Sequence, residues 1–549
     1  MLALESMLAG LARDLQKWIR IRKELYRQIE AQVQIRLGGE DKELAAYRKE
    51  YNKEFSRPWQ TSTRDELYRR LQSSRLVLMG DFHALAQSQK THWRVLKNFL
   101  TGRPIVICLE CFEAEDQALI DKYMAGKLSE REFLKSIEWA KKWGFPWDHY
   151  RAMIRWAQAK KIPIYGINRN VKKRTAASLK SRDVFAAQKL HGVLKKHPEA
   201  IVFTIYGDLH LAKNHLPKEI LKLQGPGFKK HIFRLFQNAE KIYFELLEKK
   251  LENSVDVVRL SQNVFCLLNV PPWVKWQNYL MYLEHVYDPG LDDEAESVDY
   301  TDHVSRYVKI ISEEIGHALT CDDLSVYTAQ DQQLWGRLQG AVSARELQWI
   351  ESLIEDGNSF YLPGLGIGYL ARPTVNHAAT LAAKYVHAKI SGMNEGFSEM
   401  PKDFIRQVWI EGLAYFGSKI INHKRKTDTV MDLRTAVASQ GASGIEKEPL
   451  MLALSQKMHE LMVISGRAQP RAVVRPKKRR SYQVAAQLLG GMIGERLYGA
   501  YSKGLLSKRT VMAFFKKNLG HENFNVAYYE MMEIVESLPA PFRSKKEKM

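Results

Sequence analysis

The chain has 549 residues, 45% of them hydrophobic, which is too long for one compact core and apolar enough to fold over most of its length. With 83 Lys and Arg against 62 Asp and Glu, its formal charge of +21 suits an anionic partner and equally an ordinary basic soluble protein. Four cysteines (Cys108, Cys111, Cys266 and Cys321) are too few for a disulfide framework, and the lone C-x-x-C lacks the second pair that a zinc site wants.

Residues 1–59 read as a helical N-terminal arm. Leu4, Leu8, Leu11, Leu15 and Trp18 recur at helical spacing, a stripe suited to docking on a neighbouring face. Glu5, Arg13 and Asp14 interrupt any apolar stretch of an export signal. No run of about 18 apolar residues occurs anywhere, so the expectation is a cytoplasmic chain without a transmembrane span. "SRPW" at 56–59 ends the arm.

From 60 to 286, short apolar runs alternate with helical patterns. "RLVLMG", "PIVICLE", "IPIYGIN" and "IVFTIYG" read as strands that end at Gly80, Glu110, Asn168 and Gly207. Helical crossovers between such strands predict an α/β domain with a mostly parallel central sheet flanked by helices. Residues 287–302 are acidic, poor in apolar residues, and read as a linker. From 303 to 549 helical patterns dominate, predicting an all-α C-terminal domain with a basic, proline-containing segment at 468–481. Glu314 and His317 stand three apart there, a spacing used in di-iron bundles. A single copy is an ordinary helix face, and this half is assigned no chemistry.

The chemistry gathers at the strand ends. Asp81 and His83 leave the first strand, Glu110 ends the second, Asn168 and Arg169 leave the third, and Asp208 and His210 leave the fourth. A parallel sheet brings such residues to one edge. Two imidazoles and three carboxylates can hold a divalent ion, with His83, Glu110 and His210 as ligands. The same groups can act as general bases. His92, on the following helix, can face the same cleft. A Gly-Asp turn after a strand is often only a helix cap. Its recurrence as "GDFH" and "GDLH" points instead to a shared site. Glu110, at the end of an apolar strand, needs a cation or a ligand, and Arg169 can supply the former.

The blocks "GDFHALAQSQKTHW", "LECFEAEDQALIDKYMAGKLSEREFL", "YRAMIRWAQAKKIPIYGINRN", "SRD" and "YGDLHLAKNHLP" occur in that order. Over about residues 60–285 they resemble the ChaN-like haem-binding family of the TIKI/TraB/erythromycin-esterase-like superfamily. The resemblance implies a parallel-rich sheet with helices on both faces. It makes His83 and His210 the histidines of paired G-x-x-H motifs, Glu110 the acid of the L-E block, and Arg182 and Asp183 an Arg-Asp pair. It also implies haem as ligand, held by a tyrosine for which Tyr123, Tyr150 and Tyr206 are candidates. Trp139, Trp143, Phe145 and Trp147 are candidate walls. Relatives usually carry Gly-Glu-x-His in the first motif, and Asp81 is one methylene shorter. The export signal and lipidated cysteine of ChaN-like lipoproteins are not seen in this sequence.

The function expected first is therefore a haem- or iron-binding protein with its ligand site at the strand C-termini. A second expectation is a metal-dependent hydrolase of the peptidase or esterase class, using iron, manganese or zinc. A third is a non-catalytic protein that binds an anionic partner through residues 468–481.

Overall fold

The computed structural model describes residues 2–37, 42–99, 102–169, 176–286, 299–328, 331, 333–392, 404–438, 447–470, 479–518 and 524–539. The chain divides into two compact units, Ala12–Tyr287 and Asp288–Lys548 with Met1–Leu11.

The first unit is built on an eight-stranded sheet. Its strands are β1 (Gln60–Thr61), β2 (Leu76–Asp81), β3 (Ile105–Glu113), β4 (Ile164–Asn168), β5 (Ile201–Gly207), β6 (Ile232–Gln237), β7 (Val257–Ser261) and β8 (Val264–Leu267), in the order β1-β7-β8-β6-β2-β5-β3-β4. Every pairing from β8 to β4 is parallel, and β7 and β1 add an antiparallel edge. Every residue of β2 and β5 is buried, which is why they read as unbroken apolar runs rather than alternating ones. The predicted mostly parallel α/β sheet is thus present.

Residues 12–59 belong to the same compact unit as the sheet. Ile29 and Val33 on the helix Leu2–Arg36, and Tyr47 and Tyr51 on the helix Lys42–Lys53, are buried. The side chains of the Leu4-to-Trp18 stripe lie outside those described.

β3 runs past the expected end at Glu110 to Glu113. Its pairing with β4 is regular up to Leu109 and then shifts register before Glu113. The shifted backbone crosses close to Gly166, where an added Cβ would overlap the Glu113 carbonyl oxygen. Only glycine fits that crossing.

The second unit is largely helical. Its helix Phe404–Ile421 packs on Arg479–Tyr501, and Gly412, Gly490 and Gly494 bring the two backbones close. The all-α expectation lacks one element, a small sheet of β9 (Ser325–Tyr327), β10 (Phe360–Leu362) and β11 (Ile367–Tyr369) in the order β10-β11-β9. Strands this short leave too few alternations to register as a period of two. The expected linker 287–302 and basic segment 468–481 lie largely outside the described residues. Among the described residues no helix is long and apolar enough to cross a membrane.

The Gly166 crossing is testable against Gly192, which lies in the helix Ala176–Lys196 with nothing within 4 Å of an added Cβ. In urea unfolding, Gly166→Ala lowers stability by about 1–3 kcal/mol. Gly192→Ala leaves it unchanged or raises it by up to about 1 kcal/mol. Equal behaviour of the two variants contradicts the packing described here.

Candidate functional site

β2 and β5 are adjacent and parallel, with Gly80 opposite Tyr206 and Asp81 opposite Gly207. The two Gly-Asp-x-His turns therefore leave the sheet side by side but staggered by one residue. Along a strand, a one-residue offset sends a side chain to the opposite face. Asp81 and Asp208 hold the same place in the motif and meet different surroundings.

Gly207 is where the expected residues meet. A Cβ on it would lie 3.3 Å from His210 Cδ2, 3.4 Å from Glu110 Oε2 and 3.5 Å from His83 Nε2. Having no side chain, Gly207 keeps the space between these three groups clear.

On one side, Asp81 is almost fully buried and orients His83, whose Nδ1 lies 2.8 Å from Asp81 Oδ2. Gln89 donates to Asp81 Oδ1 at 2.6 Å and the Tyr150 hydroxyl to Oδ2 at 3.3 Å. His92 is fully buried behind the carboxylate, its Nε2 3.4 Å from Asp81 Oδ1. It therefore backs Asp81 rather than facing a cleft. Burial by itself would raise the Asp81 pKa, but hydrogen bonds and charge from His83 and His92 outweigh it and hold the carboxyl well below its ordinary value.

In the middle, Glu110 accepts from the Arg182 guanidinium and from the Gly207 backbone N–H. Arg182 also donates from Nε to Asn168 Oδ1 at 3.2 Å. Burial pushes Glu110 up, and the charges of Arg182, His83 and His210 bring it below the usual carboxylate range. On the far side, His210 Nδ1 lies 2.7 Å from Asp183 Oδ1. The Tyr47 hydroxyl donates to Asp183 Oδ2 at 2.8 Å, lies 3.0 Å from His210 Nδ1, and its ring stacks on His215 with centroids 3.5 Å apart.

Asp208 faces away from this group. Its Oδ2 accepts from the Tyr51 hydroxyl at 3.2 Å and lies 3.7 Å from Lys275 Nζ, while its buried Oδ1 has no hydrogen-bond partner. Burial pushes its carboxyl up to about 6; Lys275 opposes the shift, and Glu240 and Asp81 add to it.

Of the expected residues, Asp81, His83, Glu110, His210, Arg182, Asp183 and Asn168 form one connected group. Arg169 does not join it: it is exposed, with its guanidinium over the Phe185 ring, and the partner of Glu110 is Arg182 instead. The surface is reached through His83, whose side chain is 21% exposed against 4% for His210. Trp143 and Phe145 pack beside it, with ring centroids 4.6 and 5.1 Å away and 5.6 Å from each other.

The expected metal triad of His83, Glu110 and His210 finds no support. Among the described residues no group of three or more His, Cys, Asp and Glu side chains is arranged to hold a metal ion. Arg182 supplies the positive charge beside Glu110 that a cation would otherwise provide. Tyr47, Tyr51, Gln89 and Lys275 were not expected here, and Tyr150 was expected only as a candidate haem ligand. Tyr47 and Tyr51 stand four apart on one helix, so their shared face was visible, but what that face meets was not.

Residues 67–189 match a family described as haem-binding uptake, Tiki superfamily, ChaN. That segment includes β2, β3, Arg182 and Asp183, and stops before β5 and His210. No curated protein matches the chain. Among solved structures, "Cofacial heme binding to ChaN of Campylobacter jejuni" is similar at 13% identity and a TM-score of 0.25, covering 33% of this chain and 88% of that one. Over residues 67–189, the α/β unit of this chain is thus similar to the haem-binding uptake family ChaN of the Tiki superfamily.

Proposed function

We propose that the α/β unit binds haem at the C-terminal ends of β2, β3 and β5, with His83 as the iron ligand. The observation that carries this reading is the position of His83, a part-exposed imidazole packed beside two adjoining aromatic rings at the strand ends of a ChaN-like segment. Haem iron wants an axial donor in an apolar slot, and Trp143 and Phe145 supply apolar walls. Asp81 fixes the ring orientation through Nδ1, the usual support for a ligating histidine.

The tyrosines suit the role less well. Tyr123 stacks on Phe133, Tyr150 donates to Asp81, and Tyr206 is buried in β5. Arg169, exposed beyond β4, offers positive charge for a propionate. A bound haem would supply the iron; the chain supplies the donor, its orientation and the apolar walls. Haemin titrated into purified protein is expected to give a saturable, shifted Soret band, and His83→Ala to weaken binding at least about tenfold. Tyr150→Phe retains it. No Soret shift at micromolar protein, or undiminished binding by His83→Ala, overturns the reading.

A second reading rests on the two imidazole–carboxylate pairs, Asp81–His83 at 2.8 Å and Asp183–His210 at 2.7 Å, on either side of Glu110. Such pairs suit metal-free acid–base hydrolysis, with His83 taking a proton from water. Chelator-insensitive hydrolysis of a chromogenic ester, lowered about 100-fold or more by His83→Ala, is the expected result. Hydrolysis that needs added metal, or that survives His83→Ala, removes this reading.

Asp208 adds a pH dependence. Its carboxyl is raised from an ordinary value of 3.8 to about 6, so the fold favours the neutral form. The stability it contributes is complete below about pH 4 and lost as pH rises through about 6. Asp208→Asn should stay uncharged throughout. Measured by urea unfolding between about pH 4 and pH 7.5, the wild type loses up to about 3 kcal/mol relative to Asp208→Asn. Parallel pH profiles for the two proteins would count against the assignment.

A further inference from the structure

Five of the twelve large hydrophobic side chains that are exposed among the described residues lie on two neighbouring helices of the C-terminal unit. Met451, Met458, Leu461 and Met462 are 57, 43, 38 and 37% exposed on the helix Lys447–Ile464. The seven-residue step from Met451 to Met458 and the four-residue step to Met462 keep these methionines on one face. Met431, 66% exposed, lies on the helix Val430–Ala438. Arg434, one turn further along that helix, places Nη2 3.7 Å from Met458 Sδ, so the two exposed faces adjoin. Exposed apolar side chains scattered singly need no explanation, but a contiguous group calls for an occupant.

The exposed charge on these two helices and just after them has one sign. Arg434, Lys447 and Arg467 are exposed. The acids of the two helices are withdrawn: Asp432 and Glu460 are buried, and Glu448 accepts from Ser481 at 2.7 Å. In sequence, six Lys and Arg and no acid follow between Arg471 and Arg480, in a chain of net charge +21. Flexible, unbranched methionines adapt to irregular apolar surroundings. An apolar helix face with a basic surround is the arrangement that holds a protein at a negatively charged bilayer, where insertion and charge attraction act together. Nucleic acid would use the positive charge but gives the methionines no apolar partner.

We infer that the face formed by Met431, Met451, Met458, Leu461 and Met462 docks reversibly on an anionic lipid surface, with Arg434 and Arg467 at the headgroups. The experiment is flotation of the full chain with phosphatidylcholine vesicles, with and without phosphatidylserine, at low and high salt. Wild-type protein is expected to float with the phosphatidylserine vesicles at low salt and to be released by high salt. Met451→Ser/Met458→Ser/Met462→Ser should weaken flotation at least about tenfold with unchanged circular dichroism, and Arg434→Glu/Arg467→Glu should do so mainly at low salt. Absence of flotation with phosphatidylserine vesicles overturns the inference. So does undiminished flotation of the methionine variant, because charge alone then suffices. So does a concentration-dependent dimer that the methionine substitutions abolish, which makes a second copy the occupant.

Discussion

The one-residue stagger between β2 and β5 is the constraint on which the site depends. Pairing Asp81 with Gly207 leaves a bare backbone position beside the carboxylate, and His83, Glu110 and His210 are drawn around it. Had the pairing aligned the two motifs residue for residue, Asp81 would have stood opposite Asp208, placing two buried like charges together. The stagger sends Asp208 toward Tyr51 and Lys275 instead. A duplicated tetrapeptide thus yields two unequal halves.

Each buried acid of the group meets a different counterpart. Asp81 has imidazoles, Glu110 has a guanidinium and a backbone N–H, and Asp183 has a phenol and an imidazole. Buried charge is tolerated only when it is compensated in this way. Asp208 is the least well served, and its raised carboxyl pKa follows. The compensation also sets a guanidinium beside the carboxylate that a cation would need. What remains accessible is an oriented imidazole beside aromatic walls, which suits a flat ligand better than a bare ion.

Much of the α/β unit was legible in the sequence because its central strands are apolar on both faces and end in glycine, acid or amide. "RLVLMG", "PIVICLE", "IPIYGIN" and "IVFTIYG" correspond to β2, β3, β4 and β5. β6, β7 and β8 escaped, the last two being short strands joined through Gln262 and Asn263. The residues at the strand ends were legible because a parallel sheet brings them together. Their pairing was not, since Arg169 and Arg182 are equivalent as charges until the helix Ala176–Lys196 is placed over β4. Tyr47 could not be found from the motif at all. Its partners are 136 and 163 residues away in sequence.

That separation has a consequence for how the protein is made. The helix Lys42–Lys53 leaves the ribosome before the polar partners of Tyr47 and Tyr51, which belong to residues 183 to 210, and before Phe236, which packs on Tyr51. Until those residues emerge, the helix has only its own turns to sustain it, and a helix of that length is marginal alone. Contacts of such long range form late and slow the search for the native state. Completion of the site then waits for β5 and the turn after it, which supply Gly207 and His210.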